Sequence, residues 1–170
     1  MAEQEYTDAI ALLKADHREV EDLFAKFEKA SGKDRKQQLA EQICNELKIH
    51  SMIEEEIFYP ALRGKIEDDL LDEAYVEHDG AKVLVNDIMA GGAGDEFYDA
   101  KVKVLQEEIE HHVQEEEAPS KGMFSQARDT DADLVALRDQ MLARKEELMA
   151  QVEAGGLPPA QPSVVNPQPA

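Results

Sequence analysis

The chain is poor in cysteine and in aromatic residues. Of its 170 residues 5 % are aromatic, none is tryptophan, and Cys44 is the one cysteine. A single cysteine excludes an intramolecular disulfide framework and fits a reducing compartment, so we expect a cytoplasmic protein. No apolar run approaches the roughly 20 residues needed to cross a bilayer. The N-terminus also lacks the basic start and apolar stretch of a signal peptide.

Basic residues are scarce relative to acidic ones. The sequence has 18 Lys and Arg against 38 Asp and Glu, a formal net charge of -20. Nucleic-acid partners require Lys/Arg patches, so the charge argues against them. The same charge disfavours anionic membranes and is mildly favourable for attracting cations. The composition, 42 % apolar and 33 % charged, otherwise suits one globular domain with a substantial core.

Glycine and proline divide the chain into five expected helices. Their approximate ranges are 7–30, 34–62, 67–90, 95–118 and 131–153. We expect Thr7 to cap the first helix and Pro60 to bend or end the second. Only turns are expected at 120–129. No segment shows the alternation of a β-strand, so the fold class is all-α.

The connections between the first four helices are short. Short connections favour neighbouring antiparallel helices, so we predict an up-down-up-down four-helix bundle with the fifth helix packed outside it. The expected domain covers residues 1–153, with its core at 7–118 and the additional helix at about 131–153. Five of the seven prolines lie beyond Gly155. The sequence therefore predicts a disordered Pro-rich tail at 154–170.

Polar residues interrupt the apolar stripes of the four bundle helices. Each stripe contains one histidine, and the second and fourth stripes add a glutamate one turn later. The six positions are His17, His50, Glu54, His78, His112 and Glu116. A polar group in an apolar core costs several kcal/mol unless it is bonded or coordinated. Six such groups in a marginally stable domain indicate a common partner.

An internal duplication supports a shared site. His17 and His50 are 33 residues apart, and His78 and His112 are 34 apart. The second histidine of each pair begins a His-x-x-x-Glu motif, whose two side chains lie on one helix face about 6 Å apart. Such a repeat is what a two-metal site at the bundle centre requires. Each metal would take two imidazoles, and the carboxylates could bridge.

Ligand chemistry narrows the metal. Mixed imidazole and carboxylate ligation with open positions suits iron or manganese. The zinc signatures CxxC and HExxH are absent. A ferritin-type site needs two Glu-x-x-His motifs, but only Glu108 and His111 have that spacing, and His111 lies on a polar helix face. A metal-free helical module whose polar core residues bond one another is the alternative.

Several other residues are assigned to ordinary structural roles. The glutamate runs 54–56 and 115–117 are expected to face solvent, apart from the two glutamates on the stripes. Cys44 is expected to pack in the core rather than to bind a metal. Tyr59, five residues after Glu54, is expected to pack as well, with a hydrogen bond to the site as the alternative.

These motifs resemble the hemerythrin-like (HHE cation-binding) family over about residues 7–118. The matching stretches are DHREV from Asp16, HSMIEEEIFYP from His50, Glu77-His78, and HHVQEEE from His111. The resemblance implies an antiparallel four-helix bundle that holds two non-haem iron ions, oxo- or hydroxo-bridged. Members of the family bind oxygen, sense oxygen or redox state, respond to nitric oxide or peroxide, or handle iron.

The sequence departs from the oxygen carriers of that family at two positions. Lys82 stands where the carriers have a fifth histidine, and Glu116 follows its histidine by four residues where they use five, here Glu117. Fewer imidazoles leave more open positions, so we expect oxidation rather than reversible oxygen carriage. Lys82 could instead offer a proton or hold an anion.

The expected function follows from this resemblance. We expect a non-haem di-iron protein that binds or senses oxygen, nitric oxide or peroxide. The alternative is a di-iron enzyme that degrades peroxide or oxidises iron. The expected partner is a small diatomic or peroxide ligand, without nucleic acid or membrane, and no protein partner is indicated.

Overall fold

The computed structural model describes residues 5–165, and this part of the chain contains helices and no strand. The elements are α1 (Ala9–Lys29), α2 (Lys33–Ile53), a π-helical turn (Glu54–Phe58), α3 (Tyr59–Leu62), α4 (Asp68–Ala90), α5 (Tyr98–Glu117), α6 (Met123–Arg128) and α7 (Leu134–Glu153). Helices α1, α2, α4 and α5 contact one another in that order, and α5 returns to α1. The predicted all-α four-helix bundle with an additional C-terminal helix is confirmed.

The cap of the first helix lies one residue later than predicted, and the helix begins at Ala9. The side chain of Asp8, not of Thr7, accepts a hydrogen bond from the N–H of Ala11 at 2.9 Å. Asp8 thereby satisfies one of the free N–H groups of the first turn. The helix ends before Gly32, whose positive φ of 88° suits a glycine.

The second helical segment is not uniform, because a π-helical turn separates α2 from α3. Pro60 has no N–H to donate to the carbonyl of Glu56, and the wider turn precedes it. The N–H of Tyr59 donates instead to the carbonyl of Glu54, five residues back. The wider turn brings Tyr59 closer to the face of Glu54 than a regular α-helix would.

The C-terminal third adds elements outside the bundle. Helix α7 packs against α1 and α2, in agreement with the prediction. The six-residue helix α6 lies where only turns were expected, and it packs against α5. Among the described residues, no helix has both the length and the apolar character needed to cross a membrane.

The Pro-rich tail, for which the sequence predicts disorder, lies partly within the described residues. Residues 157–165 have no regular secondary structure, but they lie along α2 and α4 and form hydrogen bonds with both helices. The rest of the tail, 166–170, lies outside the described residues, as do residues 1–4. The predicted domain limits of 1–153 therefore stay a prediction.

The apolar core is divided into two clusters along the bundle axis. One joins α1, α2 and α4 to α6 and α7, and includes Leu13, Ile53 and Met141. The other is formed by the four bundle helices and includes Val20 and Leu105. The histidine of each bundle helix lies between the two clusters, so a polar layer crosses the middle of an otherwise apolar core.

Candidate metal centre

The polar layer contains all six residues that the sequence singles out. None is more than 8 % exposed, and Glu54 is fully buried. Their ligand atoms form two groups, in each of which the atoms lie within 4.8 Å of one another. The first group is His17, His50 and Glu116, and the second is Glu54, His78 and His112.

Within each group two imidazoles face each other through Nε2. The distance between His17 Nε2 and His50 Nε2 is 3.2 Å, and that between His78 Nε2 and His112 Nε2 is 3.1 Å. Each group therefore pairs a histidine from one helix with a histidine from the next helix along the bundle. Two convergent nitrogen donors are available to a cation at each of the two positions.

The two glutamates connect the groups. Glu54 Oε1 lies 3.3 Å from His78 Nε2 in its own group and 3.0 Å from His50 Nε2 in the other. Glu116 Oε1 lies 3.3 Å from His17 Nε2 and 3.2 Å from His112 Nε2. The i+4 spacing thus places each carboxylate between the two groups, where it can bridge two cations.

Several of these buried atoms lack hydrogen-bond partners. They are both carboxylate oxygens of Glu54, Oε1 of Glu116 and Nδ1 of His78. Removing a carboxylate from water without donors or a counter-ion costs several kcal/mol. A cation between the imidazoles and carboxylates would offset that cost, and nitrogen and oxygen donors suit iron or manganese. The residues present therefore fit a pair of metal ions.

Two further carboxylates bind the outer nitrogens of the histidines across helix boundaries. Asp16 Oδ2 lies 3.1 Å from His50 Nδ1, and Glu77 Oε1 lies 2.9 Å from His112 Nδ1. Each carboxylate therefore belongs to one helix and binds a histidine of the next: Asp16, which precedes His17 on α1, binds His50 of α2, and Glu77, which precedes His78 on α4, binds His112 of α5. Carboxylates in this position orient an imidazole and make it a better metal ligand.

The glutamates that follow the bridging ones face the other two histidines. Glu117 Oε2 lies 2.6 Å from His17 Nδ1, whereas Glu55 Oε1 is 3.8 Å from His78 Nδ1, an ion-pair rather than a hydrogen-bond distance. The prediction that the glutamate runs face solvent is wrong for these two residues. The repeated pairs Asp/Glu-His and Glu-Glu were the available sequence signal for all four outer carboxylates.

Each outer carboxylate also contacts a cationic or imidazole group. The pairs are Asp16 with Lys145, Glu55 with Lys82, Glu77 with His111, and Glu117 with Arg18. Lys82 Nζ lies 2.9 Å from the nearer oxygen of Glu55 and 3.1 Å from Asp79 Oδ1. The charge of Lys82 is thus directed to two carboxylates beside the centre.

In the metal-free site the pKa values of His50 and His112 are raised and that of Glu54 is lowered, so protonated imidazoles face an ionised carboxylate. Burial alone would lower the pKa of His50, but Glu54 and Asp16 raise it to about 10. Burial would raise the pKa of Glu54, whereas His50 and other imidazoles lower it well below its ordinary value. The pKa of His112 is raised well above normal by Glu116, against the effect of its burial. A metal ion entering the site would displace these protons.

Tyr59 takes part in the site, so an interpretation by packing alone is incomplete. Its hydroxyl donates to Glu116 Oε2 at 3.0 Å and lies 3.3 Å from His78 Nε2 and 3.4 Å from His112 Nε2. Cys44, by contrast, is fully buried in an apolar cluster with its Sγ 3.9 Å from the carbonyl of Val85. Cys44 therefore packs away from the site.

His111, the fifth histidine, lies off the bundle axis. Its side chain is 64 % exposed, and Nε2 is 3.1 Å from Glu115 and 3.4 Å from Glu77. The apolar stripe of the helix predicts that His112, and not His111, faces the bundle interior, and of these two histidines only His112 is buried.

Comparisons with known proteins agree with this fold. The crystal structure of a hemerythrin HHE cation binding domain-containing protein from Mycobacterium kansasii matches with a TM-score of 0.71 and 23 % identity, over 89 % of this chain and 95 % of that one. At 23 % identity this similarity shows the fold alone. A protein named DNA nickase from Nostoc sp. is 30 % identical over 108 residues, which are 63 % of this chain and 30 % of that protein. The chain thus spans less than a third of that relative's length.

The family model for the hemerythrin HHE cation binding domain matches residues 8–123. That range contains the four bundle helices and all six residues of the buried layer. The chain belongs to the hemerythrin HHE cation-binding domain family.

Proposed function

We propose that this chain binds two iron ions in the buried layer. One ion would lie among His17, His50 and Glu116, and the other among Glu54, His78 and His112. The observation that carries the proposal is the convergence of six buried donor atoms, several without a hydrogen-bond partner. Membership of a cation-binding family supports metal binding in general. The mixed nitrogen and oxygen donors favour iron over zinc or copper.

We infer that the physiological ligand is dioxygen, nitric oxide or peroxide. A bound iron pair supplies open coordination positions and a reversible change of oxidation state, which suit these small molecules. The chain's own residues prepare the site. Carboxylates that accept the Nδ1 protons of His17, His50 and His112 keep the Nε2 lone pairs of these histidines directed inward. The apolar clusters on both sides keep bulk water away.

Metal analysis and an absorption spectrum test the proposal. Protein purified from iron-replete cells should contain close to two irons per chain and show the charge-transfer absorption of bridged ferric ions. His111→Ala is the matched control, because it changes an exposed histidine next to His112. A colourless protein with one zinc per chain would rule the iron pair out.

A second candidate is a peroxide-degrading or iron-oxidising enzyme at the same centre. The observation in its favour is the Tyr59 hydroxyl, a buried proton donor within 3.4 Å of two histidines and a glutamate of the site. Many peroxide turnovers per site, reduced in Tyr59→Phe at unchanged iron content, would establish the enzyme. Binding of one small ligand per centre without turnover would support the binding function.

We further propose that neither nucleic acid nor membrane is a partner and that the protein is cytoplasmic. The net charge of -20 supports the first statement, and the single buried cysteine fits a reducing compartment. DNA nicking is named for the whole Nostoc protein, most of which has no counterpart in this chain.

A further inference from the structure

The groove between α2 and α4 binds the main chain of the tail. Lys48 Nζ on α2 donates to the carbonyl of Pro158 at 3.1 Å. On α4, the side-chain amide of Asn86 pairs with both main-chain groups of Ala160. It accepts from the Ala160 N–H at 2.8 Å and donates to the Ala160 carbonyl at 2.9 Å. This pairing resembles the contacts that a neighbouring strand would make.

Residues 163–165 of the tail bind to a single carboxylate. Asp79 accepts the N–H groups of Ser163, Val164 and Val165 at 2.8, 2.8 and 2.7 Å. Lys82 Nζ donates to the Ser163 hydroxyl at 3.0 Å. Asp79 is 2 % exposed, so this carboxylate is enclosed between the helix and the tail.

The sequence of the tail suits docking of this kind. Pro158, Pro159 and Pro162 have fixed φ angles and no N–H, which favour an extended conformation and lower the entropy lost on binding. The residues whose N–H groups bind the groove, Ala160 and 163–165, are not proline. Main-chain donors and acceptors of the segment are thus matched to side chains of the groove.

The docked tail forms one wall of a cavity beside the candidate metal centre. The cavity has a volume of about 400 Å³, and its lining includes the histidines of all four bundle helices. Leu157, Pro158, Pro159 and Ala160 line it from the tail side. Lys82 connects the two sides, because its Nζ contacts both Ser163 of the tail and Glu55, which faces His78.

We propose that residues 157–165 are a strap that docks in the α2–α4 groove of its own chain and closes this cavity. Release of the strap then sets the rate at which small solutes reach the four buried histidines. The consequence for ligand exchange rests on the proposed iron centre. Docking of the strap and closure of the cavity do not depend on the iron centre, because the strap binds side chains of α2 and α4 and not the six donor residues.

The variants that test the strap leave the six donor residues intact. Asn86→Ala removes both hydrogen bonds to Ala160. Asp87→Ala is the matched control, since Asp87 is the next residue of α4 and pairs with Lys101 at 2.5 Å instead of with the tail. Ala160→Pro removes the main-chain N–H that Asn86 accepts and alters no bundle residue, so it tests the contact even if Asn86→Ala unfolds the protein.

Docking is measured by amide hydrogen exchange in the metal-free full-length protein. The amides of Ser163, Val164 and Val165 should be protected in the parent protein and in Asp87→Ala. In Asn86→Ala and Ala160→Pro their exchange should be about tenfold faster. Unprotected tail amides in the parent protein would overturn docking. Protection that depends on protein concentration would overturn docking within one chain and indicate exchange of tails between two copies.

Closure is measured by the rate at which diethylpyrocarbonate modifies the histidines of the same metal-free samples. The modification of His111, which is exposed, serves as the internal reference. Strap release should accelerate modification of the buried histidines about tenfold relative to His111, with no change in Asp87→Ala. Equal relative rates in all variants, with the strap shown to be released, would overturn the gating proposal. Because no iron is needed, failure of the iron proposal would leave both results interpretable.

Discussion

The two halves of the bundle, α1–α2 and α4–α5, carry the same arrangement of donor residues, but different residues surround the two sets of donors. In each half the first helix has an acidic residue followed by histidine, and the second has His-x-x-x-Glu-Glu. The first half contributes Asp16, His17, His50, Glu54 and Glu55, and the second Glu77, His78, His112, Glu116 and Glu117. The repetition at every inner position is what two equivalent cation positions would demand.

The residues around the halves differ because α7 packs against α1 and α2 of the first half. Ile49, before His50, is 5 % exposed in the cluster that contains α7 residues, whereas its counterpart His111 is exposed. Likewise Asp16 pairs with Lys145 of α7 at 2.6 Å, whereas Glu77 faces His111. The inner residues are therefore the same in both halves because they face one shared centre, whereas the outer residues differ because the packing around each half differs.

Loss of an inner histidine should have the largest effect, and a similar one in either half. We expect His112→Ala and His50→Ala each to lose at least one of the two proposed irons, because a donor disappears and a buried glutamate remains beside the gap. Iron content per chain and the charge-transfer spectrum measure the effect. Two irons retained in either variant would break the equivalence of the halves.

Loss of an outer carboxylate should weaken metal binding to a different extent in the two halves. Asp16→Asn and Glu77→Gln should each weaken metal binding by about 10- to 100-fold, the range for groups that orient a ligand. The larger effect is expected for Asp16, since its loss also leaves the largely buried Lys145 without its 2.6 Å partner. Competition with a chelator gives both dissociation constants. If Glu77→Gln weakened metal binding more than Asp16→Asn, the contact between Asp16 and Lys145 of α7 would not support the first half in the way expected here.

Tyr59 of α3 donates a hydrogen bond to Glu116 of the second half, whereas the counterpart of Glu116 in the first half, Glu54, accepts none. Tyr59→Phe should lower the free energy of unfolding of the metal-free protein by about 1–3 kcal/mol, because a buried oxygen of Glu116 loses its donor. Urea unfolding monitored by circular dichroism measures the change. Tyr75→Phe is the control, since that hydroxyl makes only a long 3.4 Å bond to the carbonyl of Glu55. Equal losses in both variants would show that the Glu116 contact contributes little.

The bundle and the six inner residues could be predicted because both depend on periodicity within one helix. An apolar stripe fixes which face is buried, and a histidine on that face enters the core. The duplication then placed the four histidines at one level. His111 and His112 were separated by the same argument, since one residue rotates a side chain by about 100°.

The remaining features depend on contacts that no single helix encodes. Asp16 and Glu77 bind histidines of a neighbouring helix, so spacing within a helix does not reveal their partners, although the repeated acidic-His pair marks both positions. The position of Tyr59 depends on the π-helical turn, which adds a residue after Glu54. Helix α6 is six residues long, too short for a periodic signal. The tail docks mainly through main-chain groups, which leave no side-chain pattern to detect.

The smallest effect is expected at the position where the halves differ most in exposure. His111→Ala removes an imidazole that lies 3.1 Å from Glu115 and 3.4 Å from Glu77 at the surface. Such exposed pairs contribute little, so the free energy of unfolding should change by at most a few tenths of a kcal/mol. Iron content and spectrum should stay unchanged, because Glu77 keeps its 2.9 Å contact with His112 Nδ1.

The counterpart Ile49→Ala sharpens the contrast between the halves. It removes a buried side chain from the cluster shared with α7, and should cost about 2–5 kcal/mol, as truncation of core aliphatic residues does. Urea unfolding of both metal-free variants compares the two positions directly. A loss of iron in His111→Ala would instead mean that α5 is rotated by one residue in the loaded protein. The bridging carboxylate of that half would then be Glu115 rather than Glu116, and the pseudo-symmetry of the centre would fail.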